Sequence, residues 1–151
     1  MTKIERSIEI NRPVQDVWDY VHEPRNDAQW QTTIVESQPQ SEGPLQLGTE
    51  VRETRKFLGI RLQVGYQVTE LEPTTRSSIR SVSGPVPFTG SYLFEPHDGS
   101  TRFTVTGELD AHGFFKVAEP VFARMAGREL EANLGHLKDI LETRGTQSGA
   151  A

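Results

Sequence analysis

The sequence predicts an α+β domain in which a strongly curved, seven-stranded antiparallel sheet wraps a long C-terminal helix, with two short helices after the first strand. Three observations predict it. The opening residues pass from strand to helix patterning between Ile10 and Val14, six further strand-like runs joined by turns fill Thr32 to Ala111, and after Gly113 the period switches again to that of a helix.

Ile4, Ile8 and Ile10 share one parity and Lys3, Glu5, Ser7 and Glu9 the other, the signature of a strand with one buried face. Arg6 falls on the buried parity, where it is expected to pair locally with a carboxylate or to reach the rim. Asn11 as a cap and Pro13 near the first turn open a helix bearing Val14, Val17, Trp18 and Val21, and Pro24 closes it. Residues 25 to 30 read as a second helical turn ending on Trp30. Strands follow at about 32–38, 48–57, 60–72, 75–83, 87–96 and 100–110. Gly48, Leu58-Gly59, Glu72-Pro73, Gly84-Pro85 and His97-Asp98-Gly99 punctuate them, so neighbouring strands should run antiparallel.

Phe122, Ala126, Leu130, Leu134, Leu137 and Leu141 then form one apolar stripe along a long helix that Pro120 starts or kinks and Gly145 stops. Residues 1–145 are expected to be one domain and 146–151 a flexible tail. A helix is about 10–12 Å across and cannot cover seven strands spaced at ~4.8 Å. Unless the sheet curls tightly, space remains between the two. Gly65, Gly90 and Gly107, inside strands, are expected to permit a bend or bulge.

Composition removes several functions. Sixteen Lys and Arg against 21 Asp and Glu give a net charge of -5, with no basic block to track a phosphate backbone, so nucleic acid is not an expected partner. The absence of cysteine excludes disulfides and thiolate chemistry. No apolar run is long enough for a signal peptide or membrane span, and the cytoplasm is the expected compartment. His22, His97, His112 and His136 have no metal-like spacing, only His112 being placed to approach a cavity mouth, and no serine sits in a Gly-x-Ser-x-Gly elbow. Gly43-Pro44 and Gly48 do not make a phosphate cradle. No metal or cofactor is expected. The oligomeric state is not legible.

Several segments, in this order, resemble the polyketide cyclase/dehydrase and lipid-transport proteins of the START-like, Bet v 1-like superfamily. They are Ile8-Glu9-Ile10-Asn11-Arg12-Pro13 with Val17-Trp18, Trp30, Gly48-Thr49-Glu50-Val51-Arg52-Glu53, Gly84-Pro85, Tyr92-Leu93-Phe94-Glu95-Pro96 and Asn133-Leu134-Gly135-His136-Leu137-Lys138. The resemblance spans residues 3 to 143 and implies a helix-grip fold with a cavity between sheet and helix. It implies no single activity, because that superfamily holds carriers, cyclases, hydrolases and binding modules.

Val51 and Phe57 set the buried parity of their strand, and Glu53 and Arg55 share it. A buried ion pair costs desolvation and so asks for a reason, of which a polar ligand group is one. Glu53 is a candidate general base and Arg55 a candidate anchor for an enolate, carboxylate or carbonyl. The competing readings are a bulge that reverses parity and a pair that sits at the sheet edge in solvent. Tyr66, Phe88, Tyr92 and Phe103, with Trp30, Phe122 and Met125, are candidates for an aromatic and apolar wall, although such residues more often pack as core. Phe94 admits the same two readings. The leading expectation is a cavity that binds a small hydrophobic or aromatic molecule. The alternatives are a cyclase/dehydrase-type enzyme using Glu53 and Arg55, and a protein-interaction module with a filled cavity.

Overall fold

The computed structural model describes residues 2–57, 59–109 and 114–150. The opening alternation becomes strand β1 (Thr2–Ile10), with Ile10 fully buried and Lys3, Glu5, Ser7 and Glu9 exposed. Helix α1 (Val14–Val21) buries Val17, Trp18, Tyr20 and Val21. Its N-cap is Pro13, and no side chain caps it. Asn11, the expected cap, instead gives its backbone N–H to Glu142 at 3.1 Å and accepts a bond from Ser100 at 3.1 Å. Pro24 does not close α1; it opens a 3₁₀ turn (Pro24–Asn26) that leads into α2 (Asp27–Trp30).

Six strands follow: β2 (Ile34–Pro39), β3 (Glu50–Phe57), β4 (Ile60–Glu72), β5 (Arg76–Ser83), β6 (Phe88–His97) and β7 (Ser100–Leu109). They join β1 in one antiparallel sheet ordered β1-β7-β6-β5-β4-β3-β2. Consecutive strands pair along the chain, while β1 and β2 occupy opposite edges. The short helices therefore carry the chain from one edge to the other, α1 packing on β6 and β7 and α2 on β2. Asp98 and Gly99 both take the left-handed conformation, φ 50° and 82°, between the paired His97 and Ser100, the geometry of a two-residue primed hairpin.

The register slips at Ile34/Glu36, at Gly65/Tyr66 and at Val68/Glu70. Gly65 is thus a bulge position, and a Cβ there would lie 2.6 Å from Ser83 Oγ. Gly90 and Gly107 make no bulge: both keep regular pairing and are register partners.

Helix α3 (Phe114–Ala150) starts ahead of Pro120 and runs on past Gly145, which does not stop it. It lies along β1 and against α2. Arg6 of β1 meets it there, donating from Nε to Glu131 Oε1 at 2.9 Å, so the expected carboxylate partner comes from the helix. Leu134, Leu137 and Leu141 are buried with Trp18, Trp30, Phe94 and Phe103 in the main core. Each such side chain contributes about 1.5–3 kcal/mol through burial. The core therefore holds the C-terminal part of α3 to the short helices and to β6 and β7, while Ala126 and Leu130, nearer its N-terminal end, face a hollow.

Candidate functional site

The hollow lies between the concave face of the sheet and α3 and has a volume of about 380 Å³. Most of its wall is apolar: Ile4, Leu62, Val64, Ile79, Val86, Phe88, Val105 and Leu109 with Ala126 and Leu130. Polar residues interrupt this wall: His22, Asp27, Gln31, Arg55, Tyr66, Ser77 and Tyr92 make one group, and Ser78, Thr89, Ser91, Thr106 and Glu108 also border the hollow.

The polar group is anchored from behind by Glu53, which is buried, 2% exposed, and does not itself line the hollow. Alternation along β3 puts Val51, Glu53 and Arg55 on the inner face. Arg55 Nη2 donates to Glu53 Oε1 at 3.3 Å, and Ser37 Oγ, from the register partner of Glu53 in β2, donates to Glu53 Oε2 at 3.2 Å. The Arg55 side chain is 35% exposed, so it is the member of the pair that meets the hollow. Burial works against its charge, but Glu53, with smaller help from Glu129 and Tyr92, holds the guanidinium pKa above its usual value.

Asp27 lies beside this pair. Burial, then the like charge of Glu53, push its carboxyl well above the usual range, against the pull of Ser37 and Arg55. Burial, then Asp27 and Glu53, also raise the Tyr66 and Tyr92 phenols. Both phenols and the guanidinium are accordingly hydrogen-bond donors. This wall is built to meet an acceptor oxygen.

His22 follows the last turn of α1. Its ring stacks on Trp18, with centroids 3.9 Å apart, and packs edge-on to Tyr92 at 6.1 Å. Nδ1 lies 2.8 Å from the Trp18 carbonyl oxygen and Nε2 2.7 Å from Ser77 Oγ.

Of the candidates read from the sequence, Arg55, Tyr66, Phe88 and Tyr92 share the hollow. Trp30 and Phe103 are packed in the core instead, 6.3 and 5.1 Å from the Tyr92 ring, so they position a wall residue without lining the wall themselves. Phe94 is likewise core. Met125 is 38% exposed and does not line the hollow, because it lies off the α3 face that carries Ala126 and Leu130. The Phe122 side chain and His112 lie outside the described residues.

Asp27, Gln31 and Ser77 were not singled out by sequence reasoning, and His22, which that reasoning kept away from the cavity in favour of His112, lines the hollow. Two of them left a signal: Ser77 shares the parity of Ile79 in β5, and His22 stands one helical turn after Trp18. Among the described residues, no cluster of three or more His, Asp or Glu is arranged to hold a metal, and no helix is long and apolar enough to cross a membrane.

A family model described as polyketide cyclase / dehydrase and lipid transport matches residues 1–142. No curated protein sequence matches. Among solved structures, the protein TTHA0849 from Thermus thermophilus is similar at a TM-score of 0.82 and 14% identity, covering 95% of this chain and 99% of that one. The Zhui aromatase/cyclase from Streptomyces sp. R1128 gives 0.79 at 18% identity, covering 95% and 94%. A START superfamily protein from Mycobacterium smegmatis gives 0.76 at 14% identity, covering 93% and 97%. At these identities the likeness is one of fold.

Proposed function

The chain belongs to the polyketide cyclase/dehydrase and lipid-transport family, and on that premise we propose that its hollow takes up a small hydrophobic or aromatic molecule carrying an acceptor oxygen at one end. The observation that carries this reading is the make-up of the wall: a cluster of donors, Arg55, Tyr66 and Tyr92, set in a largely apolar surface. A volume of about 380 Å³ falls within the range of small-molecule sites, roughly 300–1,000 Å³, and favours a ligand over a filled interaction module. Apolar walls supply affinity through burial, and the donors fix which end of the guest enters against them. Glu53 acts through Arg55, holding the guanidinium toward the hollow. A guest with a cationic end would meet Arg55 and is disfavoured.

A second reading, an enzyme of the cyclase/dehydrase type, is favoured by the convergence of a guanidinium, two phenols and the raised carboxyl of Asp27 on the same wall. In that reading Arg55 stabilises an enolate and Asp27 or Tyr92 donates a proton, with Glu53 as a positioning residue.

Native mass spectrometry of the protein as purified, followed by identification of any released small molecule, tests the first reading. The expected result is an apolar compound bearing a carbonyl, carboxylate or phenolic oxygen, held less well by Glu53→Gln. A protein that retains no compound and binds no hydrophobic probe overturns it. Turnover lost in Arg55→Lys with affinity kept separates the second reading from the first.

A further inference from the structure

Two residues on the wall take no part in that reading. His22 Nδ1 lies 2.8 Å from the Trp18 carbonyl oxygen, which can only accept, so Nδ1 carries the ring proton. Nε2 of the neutral ring is then an acceptor, and the Ser77 hydroxyl, 2.7 Å away, points its hydrogen at it. Hydroxyl, base and orienting acceptor stand in the order that activates a serine. Both residues line the hollow. The base is locked by Trp18 at 3.9 Å and Phe94 at 5.7 Å, and an imidazolium formed there would lie against the indole face, which favours a cation. Burial, outweighing the Trp18 carbonyl and Asp19, holds the imidazole pKa below 6.5, so the ring is free to accept a proton near neutral pH.

Tyr92 is the register partner of Ser77 in the neighbouring strand. Cross-strand neighbours on one face stand with Cβ atoms about 4.5–5.5 Å apart, room for a carbonyl group to reach both. Burial holds the Tyr92 phenol protonated, so it has a hydrogen to donate.

We propose that His22 and Ser77 form a nucleophilic dyad that hydrolyses esters of hydrophobic carboxylic acids held in the hollow, with Tyr92 donating to the developing oxyanion. Ser77 Oγ bonds to the acyl carbon as its proton passes to His22 Nε2. The C–O bond to the alcohol breaks, and the leaving alkoxide takes that proton. Water then attacks the acyl-serine, gives a proton to His22, and the carboxylic acid departs as Ser77 Oγ recovers it. This inference rests on the hollow admitting an apolar guest.

The test treats the full chain with an alkyl fluorophosphonate and maps the adduct by digestion and mass spectrometry, with binding of a hydrophobic fluorescent dye measured in parallel. One adduct on Ser77 of the native sequence is expected, absent in Ser77→Ala and formed roughly 100-fold more slowly in His22→Gln. Hydrolysis of p-nitrophenyl butyrate should fall in step in both variants, and thermal melts show that each is folded. Dye binding without a Ser77 adduct, or an adduct elsewhere only, overturns the dyad and leaves the cavity reading standing. Neither dye nor adduct overturns both.

Discussion

Gly90 in β6 and Gly107 in β7 are register partners, flanked in the same row of the sheet by Ile79 and Ile4, and all four line the hollow. The row is regular; what the glycines contribute is missing side-chain volume. A Cβ at Gly107 meets nothing nearer than the Thr89 carbonyl oxygen at 4.0 Å, and neither glycine has positive φ. Gly107→Leu should therefore fold and fill part of the hollow. A hydrophobic dye should bind about tenfold more weakly, a change of about 1.4 kcal/mol, while Tm holds or rises because a strand glycine costs about 0.5–1 kcal/mol. Unchanged dye affinity in a folded Gly107→Leu would place the guest elsewhere.

The Asp27 carboxyl is raised by burial and by Glu53, which gives a signed pH dependence. A carboxyl whose pKa is higher folded than unfolded binds more protons in the native state, so its contribution is present below the unfolded pKa, near 3.8, and is lost as pH rises through the folded value. Asp27→Asn should flatten the fall in urea-unfolding stability above about pH 4. Carbon-detected NMR of the Asp27 carboxyl should show its midpoint move down in Glu53→Gln, which removes the like charge while keeping the shape.

Part of this site was legible in the sequence because alternation along β3 is regular. Parity alone put Glu53 and Arg55 on the inner face, and Glu53 is 2% exposed in its place. What parity does not carry is depth: Phe88 and Phe103 both read as inward aromatics, yet one lines the hollow and the other packs beneath it. Asp27 was invisible for a different reason. It begins a one-turn helix too short to show a face, and only the packing of α2 on β2 brings it to Ser37 and to Glu53 on the neighbouring strand. The same limit applies to glycine, since composition shows that a side chain is missing but not whether the backbone uses the freedom, as at Gly65, or the space, as at Gly107.

Gly127 in α3 tests the contact between helix and sheet. A Cβ there would lie 2.7 Å from Arg6 Nη2, inside normal contact, but that atom ends a long side chain that is 41% exposed. Gly127→Ala gains about 1 kcal/mol of helix propensity, while the exposed Arg6–Glu131 pair contributes at most about 1 kcal/mol. Urea unfolding should thus show stability unchanged or higher, with Arg6 displaced. In an Arg6→Ala background the clash is absent, so Gly127→Ala should stabilise more there than in the native chain. A destabilisation above about 1 kcal/mol in the single variant would mean that Arg6 cannot move.

His22 supplies the opposite pH dependence to Asp27. Its pKa is lowered from 6.5, chiefly by burial, so the native state binds fewer protons than the unfolded chain between the folded value and 6.5. The stability of the neutral ring is complete above 6.5 and is lost as pH falls through that window. Asp27 gains stability over the same descent wherever its own midpoint lies above that pH, so the two effects oppose and a flat curve for the native chain would hide both. Residue-specific measurement separates them. The His22 ring-carbon proton should titrate with a midpoint below 6.5, and His22→Gln should remove the fall in stability toward acid, whereas Asp27→Asn should steepen it. A His22 midpoint at or above 6.5 would show that the ring is not buried against Trp18 as a neutral base.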